Sequence, residues 1–277
     1  MRKTLLLSVA LMVLALPVRA QFQLPNIGGA NNGGLGDILG KVQELTGSQS
    51  ADDEAKSGDA IAATVFGAAP PWRNAAVQTY VNLVGRNLAR QVERKDVTWR
   101  FAVLDTPSVN AMAFPGGIVV VTRGLYQMLG SEDELAAVLA HEIAHVNRKH
   151  QWKVIQQQKL VAMGAGALAK ADSAQTTQLV ADLGGKLIAR GLDKSAEYEA
   201  DRDGAVIAAR AGYDSSAMVA VMEKLESLNP GDPGIALLFS THPSPQDRIQ
   251  ALTASATAQM DAAAVPSPAA ARIKTVK

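Results

Sequence analysis

The sequence predicts an α+β fold that is mostly helical, with one small β-sheet. Alanine and leucine dominate a chain of 277 residues in which 48% are hydrophobic and 4% aromatic. That composition builds helical cores rather than β-sandwiches. Two short segments have the β-branched and aromatic content of strands: Val97–Leu104, which alternates, and the run Ile118-Val119-Val120-Val121. From Ser131 to about Leu252 the apolar residues recur at helical spacing.

Taken in order, Arg2 and Lys3 precede an apolar run from Leu5 to Leu16. Pro17 breaks it, and Val18-Arg19-Ala20 places small residues where a signal peptidase reads. Residues 1–20 are therefore expected to be a signal peptide cleaved after Ala20, the run being short for a membrane anchor. Residues 21–57 are rich in Gly, Asn and Ser and read as a flexible leader with at most a short helix near Leu35–Leu45. One compact domain is expected over 58–254, and the Ala/Pro-rich residues 255–277 read as a disordered tail.

Within the domain, Val77, Val81, Val84 and Leu88 make a helical stripe over Ala75–Arg94. The strand Val97–Leu104 follows; Asn110–Pro115 then leads through the turn Gly116-Gly117 into the second strand. Ser131-Glu132-Asp133-Glu134 matches a capping box at the positive end of a helix. Breaks in the helical pattern fall at Gly191, Gly212 and Asn229-Pro230-Gly231. Residues 154–190 contain two small, apolar, Gly-containing stretches, too short to span a bilayer, read as a helical hairpin rather than a lid or membrane-surface element.

The chain has no cysteine and a formal net charge of +1. Thiol catalysis, a Cys-based zinc site, disulfides and a lipid-modified cysteine are all excluded. No face-forming run of Lys and Arg suggests nucleic acid.

The chemistry concentrates in His141-Glu142-Ile143-Ala144-His145. Four residues apart on a helix, the two imidazoles share one face and can grip one ion, with Glu142 angled at a water as general base. This is the zinc-protease signature, and it points to a zincin-like metallopeptidase with the sheet beside the catalytic helix. The apolar stripe Leu135, Leu139, Ile143 and Val146 should bury one side of that helix and leave the ligands on the next. His150, nine residues beyond His141, would lie about half a turn round a continuous helix, so it reads as a structural histidine or a helix-end partner.

A catalytic zinc needs a third protein ligand and an open position. The candidate segment is Ser195–Asp203, with Ser195 as helix cap. Glu197 and Asp201 are four apart, offering one carboxylate to the metal and a second to orient an imidazole, towards His141. Glu199 and Asp203 share the same spacing, and geometry alone leaves both pairs open.

His141-Glu142-Ile143-Ala144-His145 followed by Glu197-Tyr198-Glu199-Ala200-Asp201 resembles the HtpX and CAAX-prenyl-protease superfamily, within it the soluble BepA/LoiP-like periplasmic branch. The likeness runs from about Ala75 to Leu252. The family's Glu-x-x-Ala-Asp pattern implies Glu197 as the zinc ligand, giving His141, His145 and Glu197 around one Zn(2+) per chain. The membrane spans of other branches and the helical repeat domain of BepA are not seen, which implies a minimal stand-alone protease, periplasmic and not a lipoprotein. Thr241-His242-Pro243 is similar to the family's Thr-His-Pro loop. His242 is then expected either to stabilise an oxyanion or to take the water's place and hold the enzyme off. Arg248 orients this loop, touches the substrate carbonyl, or forms a surface salt bridge.

The expected activity is cleavage of internal peptide bonds in unfolded or misassembled cell-envelope proteins, a role in protein quality control. The outer-membrane assembly machinery is the expected partner, and no membrane span remains after signal removal. Substrate would lie extended along Ile118–Val121 or along Asn110, Ala111, Met112, Ala113 and Phe114. The rival reading is a zinc-stabilised, chaperone-like binding module with little proteolysis. A metal carrier suits a single site of this kind poorly.

Overall fold

A computed structural model describes residues 50–164, 192–242, 244–255 and 276. The expected signal peptide, the leader before residue 50, residues 165–190 of the expected hairpin, Pro243, and the tail apart from residues 255 and 276 lie outside them.

The elements are α1 (Ala51–Ala68), α2 (Ala75–Ala89), β1 (Arg100–Leu104), β2 (Ala111–Phe114), β3 (Ile118–Thr122), α3 (Arg123–Met128), α4 (Glu132–Asn147), α5 (His150–Gly164), α6 (Lys194–Arg210), α7 (Ala217–Glu226), α8 (Ala236–Thr241) and α9 (Pro245–Ala254). The fold is thus α+β and mostly helical, with a three-stranded sheet beside the helix that carries the paired histidines.

The strand order is β1-β3-β2, with β1 parallel and β2 antiparallel to β3. Val119 and Val121 face a core built with α2 and α4, while Ile118 and Val120 face a second core with Ile61 of α1 and Trp152 and Ile155 of α5. Helices therefore cover both faces, which is why β3 reads as an unbroken apolar run and every residue of it is buried. The turn into β3 needs its glycines: Gly116 and Gly117 have φ of 79° and 100°. A Cβ on Gly116 would also lie 2.4 Å from the Ala55 backbone of α1.

Four expectations are corrected by packing. First, α1 begins at Ala51, inside the segment read as leader. Ser50 caps it by accepting from Asp53 N at 3.1 Å, and Glu54 is buried against Arg94 at 2.9 and 3.0 Å. Second, α4 is wrapped on all sides, with every residue from Glu132 to Val146 buried. Its alanines permit this, and Gly204 of α6 approaches so closely that a Cβ there would sit 2.9 Å from His141 N. Third, the helix after the paired histidines is broken: α4 ends at Asn147, and Lys149 turns left-handed (φ 59°) before α5 starts. Lys149 Nζ lies 3.4 Å from Glu54, so a tertiary ion pair accompanies a turn for which the sequence offers neither Gly nor Pro. Fourth, Asp193 rather than Ser195 caps α6, accepting from Ala196 N at 2.9 Å.

Candidate metal centre

Helix α4 is held at its N-terminus, where Ser131 Oγ accepts from Glu134 N at 3.1 Å and Glu132 accepts from the hydroxyls of Tyr80 and Tyr213. This fixes the axial position of His141, Glu142 and His145. Helix α6 lies along α4 with Glu197, Ala200, Asp201, Gly204, Ala205 and Ala208 buried, spacings of three and four that make one face. Glu199 and Asp203 fall off that face and pair with Arg148 at the protein surface. Packing thus separates the two carboxylate pairs that spacing left equal.

Ligand atoms of His141, His145, Glu197 and His242 all lie within 4.8 Å of one another. His141 Nε2 and His145 Nε2 are 3.0 Å apart, and Glu197 stands 3.4 Å from His145 Nε2 and 3.7 Å from His141 Nε2. Zinc–nitrogen bonds of about 2.0–2.1 Å in a tetrahedron put ligand atoms roughly 3.3 Å apart, so the spacing fits. The donors fit as well. Asp201 Oδ1 is 2.9 Å from His141 Nδ1, and a hydrogen bond there turns the bare Nε2 of His141 inward. Glu197 Oε1 is buried with no hydrogen-bond partner, an orphaned acceptor beside the two ring nitrogens. A cation resolves both, and these residues are suited to hold one.

The electrostatics follow from burial. His145 is fully buried, which, with His141 close by, holds its pKa well below the usual imidazole value and keeps it a neutral donor. Burial raises the Glu142 carboxyl. For Glu197 and Asp201 burial acts upward too, but charged neighbours outweigh it. His242 and the other imidazoles hold Glu197 well below its ordinary value, and Arg248 holds Asp201 at about 2.

His242 ends α8, and its Nδ1 is 2.8 Å from Glu197 Oε2, with Nε2 3.7 Å from Glu142 Oε1. Ser244 caps α9, with Pro245 at its first position, and this aims Arg248 inward. Arg248 is buried, forks onto Asp201 at 2.8 and 2.5 Å, and reaches to 3.5 Å from Glu197. It is no surface salt bridge, and its guanidinium is spent on the carboxylates that surround the histidines. Sequence reasoning missed this because only the crossing of α9 over α6 brings it about. It also missed His150, whose Nδ1 lies 2.9 Å from His145 Nδ1.

Beside Glu142 and His145 an open cleft is lined by Ile61, Met112, Phe114 and Ile155 among others. Strand β2 borders this cleft. Its partner β3 is central and paired on both edges, so Ile118–Val121 cannot accept an added strand; of the two segments considered, only β2 lies at a sheet edge. Asn110, just before β2, is buried and accepts from Thr122 N through its main-chain oxygen at 2.9 Å.

Residues 74–256 match the family model described as Peptidase family M48. The beta-barrel assembly-enhancing protease of Escherichia coli K12 is 30% identical over 210 residues, covering 71% of this chain and 42% of that protein. Its counterpart in Yersinia pestis is 30% identical over 225 residues, covering 77% of this chain and 46% of that protein. The mitochondrial metalloendopeptidase OMA1 of Schizosaccharomyces pombe is 33% identical over 176 residues, covering 62% of this chain and 50% of that protein. This chain spans half the length of these relatives or less. No helix among the described residues is long and apolar enough to cross a membrane. The family model covers most of the described residues, so this chain belongs to peptidase family M48, and the buried cluster of two histidines and a carboxylate lies inside the matched span.

Proposed function

We propose that this chain is a zinc-dependent endopeptidase that cuts internal bonds of unfolded or misassembled envelope proteins, and that His242 holds it off in the conformation described. The observation that carries this is the four-donor cluster with Glu142 next to it in the chain. His141, His145 and Glu197 are the three ligands. Zinc, when bound, polarises the scissile carbonyl and makes water a stronger acid. Glu142 takes the proton of the attacking water and returns it to the leaving amine, a task suited to a carboxyl raised by burial. Asp201, clamped by Arg248, keeps His141 turned inward. Arg248 is therefore a support for the ligands, not a contact for substrate.

An extended peptide added to the β2 edge at Ala111–Phe114 would gain main-chain hydrogen bonds and so read backbone rather than sequence. The apolar walls of the cleft suit side chains that folded proteins bury. Both favour unfolded substrates. The names of the bacterial relatives, with the signal-like residues 1–20, support the periplasm as the site of action and the outer-membrane assembly machinery as partner. A chaperone-like binding module is the rival, but it has no use for a buried carboxyl at Glu142. The purified chain is expected to carry one zinc and to cut casein. A chelator should stop cleavage, and added zinc restore it. Casein held intact with zinc bound would favour the rival, and a zinc-free chain would remove the reading.

His242 supplies a fourth donor where an open position is required, and it is tethered to Glu197. If the plugged form is populated about nine-tenths, His242→Ala is expected to raise casein cleavage about tenfold. A fall of about 10²–10³-fold would instead assign His242 to oxyanion stabilisation.

A further inference from the structure

We infer that His150, itself held by Glu199, is the positioning residue that orients His145 towards the metal. The inference rests on the metallopeptidase reading of the site. A ligating imidazole needs a partner on its other ring nitrogen to set its tautomer and orientation. For His141 that partner is Asp201. His145 is fully buried, and among the described residues its Nδ1 meets His150 Nδ1, at 2.9 Å. On the far side of the second ring, His150 Nε2 is 3.1 Å from Glu199 Oε2. Glu199 is placed in turn by Arg148 at 3.4 Å and Arg202 at 3.8 Å.

One arrangement of ring protons satisfies the whole chain. If Nε2 of His145 is bare for the metal, its Nδ1 carries the hydrogen and donates to His150. His150 must then accept on Nδ1, carry its own hydrogen on Nε2 and donate to the Glu199 carboxylate. The backbone supports this role. On an unbroken helix a residue five positions after His145 would lie about 140° away round the axis, out of reach. The left-handed Lys149, a strained conformation for a lysine, breaks the helix and brings His150 back against His145. The two metal-binding imidazoles are thus held by unlike partners, one directly by a carboxylate and the other through a second imidazole.

The test compares the full chain with His150→Leu, His150→Asn, Glu199→Ala and Glu199→Gln. Zinc affinity is read by competition with a chromophoric chelator, ligand geometry by the visible absorption of the cobalt-loaded protein, and folding by the melt of the metal-free protein. His150→Leu fills similar space without an acceptor; zinc binding is expected to weaken about 10–100-fold with an altered cobalt spectrum and an unchanged metal-free melt. His150→Asn sets an amide oxygen near the position of Nδ1 and should recover most of the affinity. Equal affinity of His150→Leu and the parent overturns the inference, as does equal weakening by Leu and Asn, which would mean that His150 only fills space. Should His150→Leu not fold, the same contrast is read from Glu199→Ala, expected to weaken binding, against Glu199→Gln, expected to keep it. A parent chain that binds no zinc would instead sink the metallopeptidase reading itself.

Discussion

Glu142→Gln is expected to lower kcat on casein by about 10²–10⁴-fold, the span typical of losing a positioned general base, with KM and zinc content unchanged. The amide keeps the shape and a carbonyl oxygen but cannot take a proton. Glu142 is not among the four clustered donors, so the metal should stay. Stability should not suffer: the carboxyl is buried and its pKa raised by that burial, so exchanging it for a neutral amide removes a desolvation cost. Three measurements on one preparation decide the matter: metal content, melting temperature and single-turnover cleavage. Cleavage within tenfold of the parent, with zinc in place, would take Glu142 out of the chemistry. Loss of zinc together with activity would make it a ligand.

The contrast between Glu142 and His150 marks what the sequence could tell. The paired histidines and Glu142 lie within five consecutive residues, and helical geometry alone sets their relation. Spacing alone left Glu197 and Glu199 equal, each with an aspartate four residues on; the family resemblance implied Glu197, and the packing of α6 along α4, allowed by Gly204, turns its face inward. The sheet was legible as segments but not as an order. That β3 is central follows from its unbroken apolar run only once helices are known to cover both faces. The break at Lys149 had no local signal. It accompanies the contact of Lys149 with Glu54, and Glu54 lies in the part of α1 that composition had assigned to the leader. Ser50 caps that helix and Asp52, Asp53 and Glu54 fill its first turn, but the Gly, Asn and Ser content of residues 21–57 points to a flexible leader. At Lys149 the feature without a local signal is a side chain whose partner lies far along the chain.

Arg248 belongs to the same class and carries the larger stability effect. Arg248→Met removes a guanidinium that is 5% exposed and leaves Asp201, 1% exposed, with a buried charge that, among the described residues, His141 alone answers. Breaking one side of a buried ion pair costs about 3–5 kcal/mol, most of it the penalty of the stranded charge. The variant is therefore expected to unfold at a clearly lower urea concentration with an unchanged m-value. Methionine fills much of the stem's volume, which keeps the loss electrostatic rather than a cavity effect. The double variant Arg248→Met/Asp201→Asn separates the two explanations. Its asparagine carries no charge, and its side-chain oxygen still accepts from His141 Nδ1. It should be more stable than Arg248→Met alone, since the stranded charge is gone. Zinc should still bind, because the asparagine keeps His141 turned inward. If Arg248→Met costs less than about 1 kcal/mol, as exposed pairs do, the clamp from α9 is not what holds the metal side of α6. If the double variant falls further than the single, Asp201 stabilises the fold by some route other than its pairing with Arg248.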